Sequence, residues 1–151
     1  MSLIGDADRE AIEKELEAQL VEPVRLAVFS QSLALPGQEA LVAASAQAER
    51  LVEELAALHP KLSVESHSFV GDRERVDALG IERIPAIAVL REDGDPGIRL
   101  YGRIEGYEFG TLLDAIVDVS KGGEAALAEE TRDALAALEQ KVHIQVFSTP
   151  T

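Results

Sequence analysis

The residues of this chain that could carry chemistry do not include a thiol. Cysteine is absent from all 151 residues, so the one sulfur atom is the thioether of Met1. This absence excludes structural disulfides, thiolate metal ligands and a cysteine nucleophile. Thiol–disulfide exchange by the chain itself is therefore excluded, and the histidines, carboxylates and serines are the next candidates for chemistry.

The histidines and paired carboxylates lack the spacing of known sites. His59, His67 and His143 are too scattered along the sequence to indicate a shared metal ion, and a structural or solvated role is expected for each. The glutamate pairs at 53–54 and 129–130 lie in predicted helices, where such pairs are typical of a solvated face. The sequence therefore predicts no metal site and no acid–base pair.

The serines and glycines also lack a recognisable catalytic pattern. Ser30, Ser32 and Ser148 have no nucleophile elbow and no nearby His–Asp signal. The glycines that recur every fourth residue from Gly102 do not follow a strand with GxGxxG spacing, which argues against a dinucleotide site. No cofactor is expected.

Composition excludes several classes of partner. The chain has 28 acidic and 14 basic residues, a net charge of −14, and this balance argues against nucleic acid or an anionic membrane as a binding surface. The chain is long enough for one globular domain with a buried core. No apolar run has the length of a membrane span, and the first residues lack the pattern of a secretory signal. A cytoplasmic location is expected.

Periodicity predicts strands that alternate with helices, followed by a hairpin. Such alternation implies parallel pairing with right-handed crossovers, and the hairpin adds an antiparallel edge. We therefore expect an α/β fold with a mixed four-stranded sheet and helices on both faces. The predicted elements are a helix through Ile12, Leu16 and Leu20, a strand at 24–29, a helix at 36–58, a strand at 62–69, a short helix through Val76 and Leu79, strands at 86–90 and 98–101, and a helix at 109–117.

The end of the chain repeats its beginning. Residues 142–151 (VHIQVFSTPT) are similar to residues 24–32 (VRLAVFSQS), and each copy follows an amphipathic helix. Internal repetition defines the folding unit. We expect residues 1–122 to form one complete unit, and residues 123–151 to supply a linker helix (124–140) and the first strand (142–147) of a second, truncated unit.

Several motifs occur in an order that resembles a known family. They are RIPA at 83–86, YG at 101–102, GYEF at 106–109, DAIVDVS at 114–120 and VFSTPT at 146–151. The element order, with a proline directly before the third strand, resembles the thioredoxin fold. Two such units joined by a helix resemble the two-unit protein disulfide oxidoreductases, a glutaredoxin-like family concerned with cell redox homeostasis.

The resemblance implies where the missing thiols would lie. In that family the segment resembling VFSTPT runs directly into the Cys-x-x-Cys of the second unit, so this chain would end just before it. The equivalent place in the first unit is the loop Leu35, Pro36, Gly37 and Gln38, which holds no cysteine. A cysteine at a helix N-terminus gains thiolate character from the helix dipole. The resemblance thus implies no catalysis by this chain and thiol–disulfide exchange by its parent.

The resemblance also implies a docking site at Arg83, Ile84 and Pro85. A cis Ile84–Pro85 bond would lie beside the active-site loop and expose the backbone of Ile84 to an extended peptide. The plain structural alternative is that Pro85 only shapes the entry to a strand.

Three functional hypotheses follow. The leading hypothesis is a redox-inactive thioredoxin-like module with a scaffold or docking role in a disulfide oxidoreductase. The alternative is an autonomous module that binds a peptide or partner protein in the cis-proline groove. The third is an enzyme that uses the carboxylates or serines set aside above.

A homodimer is a further expectation. The predicted strand 142–147 has apolar residues on both faces, so we expect it to pair with a sheet edge of its own unit or of a second copy.

Overall fold

The computed structural model describes residues 2–33, 35–122 and 127–148. None of the helices in these ranges is long and apolar enough to cross a bilayer. The elements, in chain order, are α1 (Asp6–Gln19), β1 (Val24–Ser30), α2 (Glu39–Ala56), β2 (Leu62–Ser68), α3 (Arg73–Ala78), β3 (Ala86–Arg91), β4 (Gly94–Tyr101), α4 (Tyr107–Ser120) and α5 (Glu129–Ala136).

The four strands form one mixed sheet in the order β2-β1-β3-β4. β1 runs parallel to β2 and antiparallel to β3, and β3 runs antiparallel to β4. The expected mixed four-stranded sheet is confirmed. The expectation that all strands alternating with helices would be parallel is wrong for β3.

The direction of β3 follows from the length of α3. A parallel crossover must return the chain along the whole preceding strand, and the seven residues of β2 span about 23 Å. The six residues of α3 cover only about 9 Å. The chain therefore re-enters the sheet near the end where β2 finished, and β3 runs back against β1.

Helices cover both faces of the sheet, as the sequence predicts. One face carries α1, α2 and α4, whose buried side chains pack on Leu26 and Val28 of β1 and on Ile87 and Val89 of β3. The other face carries α3, and its cluster includes Phe29 of β1. β1 is consequently buried on both sides, which explains its nearly continuous apolar sequence.

The C-terminal segment departs from the prediction. Helix α5 is shorter than the predicted helix 124–140, of which residues 124–126 lie outside the described residues. Residues 141–148 form no strand in the single chain, so the predicted strand 142–147 does not pair with an edge of its own unit. Val142, Ile144, Val146 and Phe147 are between 59% and 89% exposed. Without a partner for its backbone groups, this segment has nothing to hold it as a strand.

Candidate functional site

Sheet register brings two of the predicted loops to the same edge of the molecule. Phe29 of β1 pairs with Ala86 of β3, so the residues that follow β1 lie beside the residues that precede β3. These are the entry to the predicted active-site-loop equivalent (35–38) and the predicted docking segment (83–85). The pairing of β1 with β3 thus fixes the positions of the chain ends that lead into both candidate regions.

In the segment before β3, Pro85 is buried and hydrogen-bonded, whereas Arg83 at the other end is exposed to solvent. The Ile84–Pro85 peptide bond is cis, the geometry that the resemblance implies. Pro85 is buried, and its carbonyl accepts a hydrogen bond of 2.8 Å from the N–H of Gly102. Ile84 is half-buried against the α3 cluster, while Arg83 is exposed.

The backbone polar groups of Ile84 are unpaired in the described structure. Within the described ranges neither its N–H nor its carbonyl has a hydrogen-bond partner in the protein. One donor and one acceptor on the same residue are what an extended peptide needs for a short antiparallel pairing. The unpaired groups of Ile84 therefore match the hydrogen-bonding pattern that the predicted docking site requires.

The guanidinium group of Arg83 lies over the ring of Tyr101. Its Cζ atom is 4.7 Å from the ring centroid, within the range of a cation–π contact. Tyr101 is the last residue of β4 and pairs with Ala86, so the sheet positions the ring. Sequence reasoning named Arg83 but missed Tyr101 as its support.

The loop at 35–38, which the resemblance aligns with an active-site loop, is a β-turn. The carbonyl of Leu35 accepts a hydrogen bond of 2.9 Å from the N–H of Gln38. Pro36 and Gly37 are the central residues, and Gly37 has φ 85°, the conformation that the third position of a type II turn requires. Helix α2 begins at Glu39, so the prediction that Pro36 lies in its first turn is wrong, because the turn uses Pro36 instead.

Amide and hydroxyl groups occupy the neighbourhood of this turn. The side-chain amide of Gln31 donates to the carbonyl of Leu33 at 2.7 Å and to Oε1 of Gln38 at 2.8 Å. Beneath the loop, the Oγ of Ser30 donates to the carboxylate of Glu49, and the N–H of Gln31 donates to Oγ of Ser45 at 3.3 Å. These polar groups are hydrogen-bonded to each other, and the loop sequence holds no thiol.

Ser45 and Glu49 were not found from the sequence. They lie four residues apart on α2, so they share one face of the helix. The available sequence signal was a serine, Ser45, within the apolar stripe of the predicted helix.

Of the three histidines, His67 lies at this end of the sheet, because it pairs with Phe29 in the register of β1 and β2. His59 is buried and its Nε2 lies 3.1 Å from a carboxylate oxygen of Glu17, while His67 stacks on Phe29 with ring centroids 5.0 Å apart. His143 is exposed in the C-terminal segment. No group of three potential ligands is close enough to hold a metal ion in the part of the chain that is described.

A separate cavity lies between α1, α2 and α4. Its volume is about 490 Å³, its lining is mainly apolar, and it shares no residue with the loop at 35–38 or the segment at 83–85. Next to it, the carboxylate of Glu54 accepts hydrogen bonds from the N–H groups of Leu3 and Ile4 at 2.9–3.0 Å. Partial burial raises the pKa of Glu54, but these hydrogen bonds and the nearby charge of Arg9 lower it by a larger amount. The net pKa of Glu54 therefore lies below its usual value.

Comparison with known proteins identifies the fold. No protein-family model matches the sequence, and no curated protein does. Among solved structures, the NTD_N/C domain of alkylhydroperoxide reductase AhpF from Enterococcus faecalis (V583) is 22% identical with a TM-score of 0.71, and the match covers 87% of this chain and 60% of that one. A protein disulfide oxidoreductase from Aeropyrum pernix K1 is 22% identical with a TM-score of 0.72, covering 91% and 56%.

The chain has a thioredoxin-like fold. Both neighbours carry it, and the mixed four-stranded sheet with helices on both faces agrees with them. This chain spans 60% or less of the length of either protein. Identity of 22% establishes the fold and leaves activity to be argued from the residues.

Proposed function

We propose that this chain is a redox-inactive thioredoxin-like module of a disulfide oxidoreductase, with a scaffold or docking role. Thiol–disulfide exchange would belong to a second unit that follows it. The observation that carries the proposal is the contrast at one edge of the fold. The N–H and carbonyl of Ile84 have no hydrogen-bond partner among the described residues, whereas the polar side chains described at the adjacent loop are amides, hydroxyls and carboxylates without a thiol.

The exchange reaction itself defines what is missing. A thiolate must attack a disulfide sulfur, form a mixed disulfide and release the other sulfur as a thiolate. Amides, hydroxyls and carboxylates do not form mixed disulfides. A chain without cysteine therefore contributes binding and positioning to this reaction, and the electrons must pass through sulfur atoms elsewhere.

An insulin-reduction assay tests the redox half of the proposal. With dithiothreitol as reductant, this chain should leave the rate of insulin precipitation at the level of dithiothreitol alone. The polypeptide extended past Thr151 in its reading frame should accelerate the reaction, and its Cys→Ser variants should not. Turnover by the present chain, or an extension without a Cys-x-x-Cys, contradicts the proposal.

A second candidate function is an autonomous peptide-binding module. It is favoured by the two unpaired backbone groups of Ile84, which serve a ligand whether or not a second unit exists. A capped pentapeptide of alternating threonine and valine with a central glutamine is a suitable probe. In an NMR titration it should shift the amide signal of Ile84, and an unchanged spectrum from Arg83 to Ala86 would contradict docking by this chain.

A further inference from the structure

Arg83 is a cation without a carboxylate partner among the described residues. Arg75 and Arg99, by contrast, are paired: Arg75 lies 3.1 Å from Glu65, and Arg99 lies against Asp95. The carboxylate of Glu82, its neighbour in sequence, is beyond ion-pair distance. The chain has a net charge of −14, so carboxylates are plentiful. Arg83 nevertheless has no carboxylate partner within the described ranges, and it lies next to the unpaired backbone groups of Ile84.

The contact with Tyr101 orients this cation. A guanidinium group is planar, and stacking on a ring leaves its N–H edge free to bind a carboxylate with two parallel hydrogen bonds. The ring is held by the pairing of β4 with β3. Less side-chain entropy is lost on binding than for an arginine that is free in solvent.

The position of Arg83 relative to Ile84 defines what it would contact. A segment that pairs with Ile84 continues past Arg83, and side chains directly opposite in an antiparallel pair have Cβ atoms about 4.5–5.5 Å apart. A glutamate or aspartate at that position of the segment reaches the guanidinium group. A neutral residue there leaves the cation as it is in the free protein.

We propose that Arg83 makes this docking edge selective for extended segments that carry an acidic side chain opposite it. The inference rests on the proposed docking function and adds the class of segment that is docked. The guanidinium group supplies specificity, and the backbone of Ile84 supplies the pairing common to all segments. The acidic surface of the rest of the chain repels anionic ligands at long range. Preference for an acidic side chain must therefore come from the short-range contact with Arg83.

Two matched pentapeptides test the inference by NMR titration. Both alternate threonine and valine, one with a central glutamate and the other with a central glutamine. The wild-type chain should bind the glutamate peptide about two- to fivefold more tightly at low salt, the range for a solvent-accessible ion pair. Arg83→Gln should abolish the preference and still bind the glutamine peptide.

Arg50→Gln is the matched control for net charge. Arg50 is exposed on α2, which packs on the opposite face of the sheet from the α3 cluster, so this variant should keep the wild-type preference. Equal affinity of the wild type for both peptides, or a preference that survives Arg83→Gln, overturns the acidic selectivity while docking stands. Failure of both peptides to shift Ile84 overturns docking and the selectivity with it.

Discussion

At the scale of single residues, the loop at 35–38 holds no thiol, although its backbone turn brings residues 35 and 38 together. Leu35 and Gln38 are the first and fourth residues of the turn, with two residues between them, as between the cysteines of a Cys-x-x-Cys. The end residues of a β-turn have Cα atoms within about 7 Å, which overlaps the range of about 4.4–6.8 Å found for disulfides. The backbone is therefore compatible with a bridge that the sequence does not supply.

The double variant Leu35→Cys/Gln38→Cys should form an intramolecular disulfide under mild oxidation. Loss of free thiols in the monomer, with a mass decrease of about two hydrogens, would establish it. Ser32→Cys/Gln38→Cys is the control, because Ser32 lies outside the turn, and it should oxidise more slowly or between molecules. A double variant whose thiols both stay free in the monomer contradicts the turn geometry.

At the scale of secondary-structure elements, an ion-pair network joins β1, β2 and α3. Glu65 of β2 lies 3.0 Å from Nε of Arg25 and 3.1 Å from Arg75, and His67 is 3.3 Å away. Partial burial raises the pKa of Glu65, but hydrogen bonds from His67 and Arg75 and the charges of Arg25 and Arg75 lower it by more. The net pKa is below the ordinary 4.5.

Because the folded-state pKa is lowered, Glu65 contributes stability that is fully present above the ordinary pKa of 4.5 and is lost as the pH falls through the folded value. Glu65→Gln should reduce the free energy of unfolding by about 1 kcal/mol at pH 7, a partly exposed pair being worth less than a buried one. Urea unfolding at a series of pH values measures this.

The difference between Glu65→Gln and the wild type should begin to shrink as the pH falls below 4.5 and disappear below the lowered folded-state pKa, where the wild-type carboxyl group is neutral like the glutamine amide. Glu13→Gln on the exposed face of α1 is the control and should change stability little at any pH. A difference that is the same at pH 7 and at acidic pH would show that the charge of Glu65 is not what stabilises these elements.

The elements that the sequence predicted correctly are those whose pattern is set by local burial. β1 is apolar throughout because both of its faces are covered, and the helices α2 and α4 present apolar residues at spacings of three and four towards the core. These features need no knowledge of distant residues. The order of elements and the mixed sheet followed from them.

The features that the sequence missed depend on distant contacts or on competing local structure. The direction of β3 depends on the length of the connection through α3, which periodicity over so few residues does not define. The predicted start of α2, at residue 36, was too early, because Pro36-Gly37 suits a turn as well as a helix start and the helix begins at Glu39. At the site, Tyr101 and Glu49 reach Arg83 and Ser30 only through tertiary packing.

At the scale of the whole molecule, the described part divides into a packed body and an exposed C-terminal segment. In the single chain, Leu135 of α5 and Leu138 just after it are exposed, and so are the apolar residues Val142, Ile144, Val146 and Phe147. A run of alternating apolar residues with unpaired backbone groups is a template for pairing with another sheet. We therefore propose that residues 142–147 of one copy pair with a sheet edge of a second copy.

Strand exchange of this kind predicts a concentration-dependent dimer by light scattering. Ile144→Lys should shift the equilibrium to the monomer, because a charge would enter the new strand. Val70→Lys is the control, since Val70 is also exposed but lies in the turn before α3, and it should leave the dimer unchanged. A wild-type chain that is monomeric at all concentrations contradicts the proposal.

The open backbone of Ile84 also has a consequence for solvent exchange. The amides of β1 and β3 are bonded within the centre of the sheet, and the carbonyl of Pro85 is bonded to Gly102. The amide of Ile84 has no such bond, so its hydrogen should exchange with deuterium far faster than those of the strands that follow it. One fast-exchanging amide beside a slow core makes Ile84 a built-in reporter, because any segment that docks there will slow its exchange.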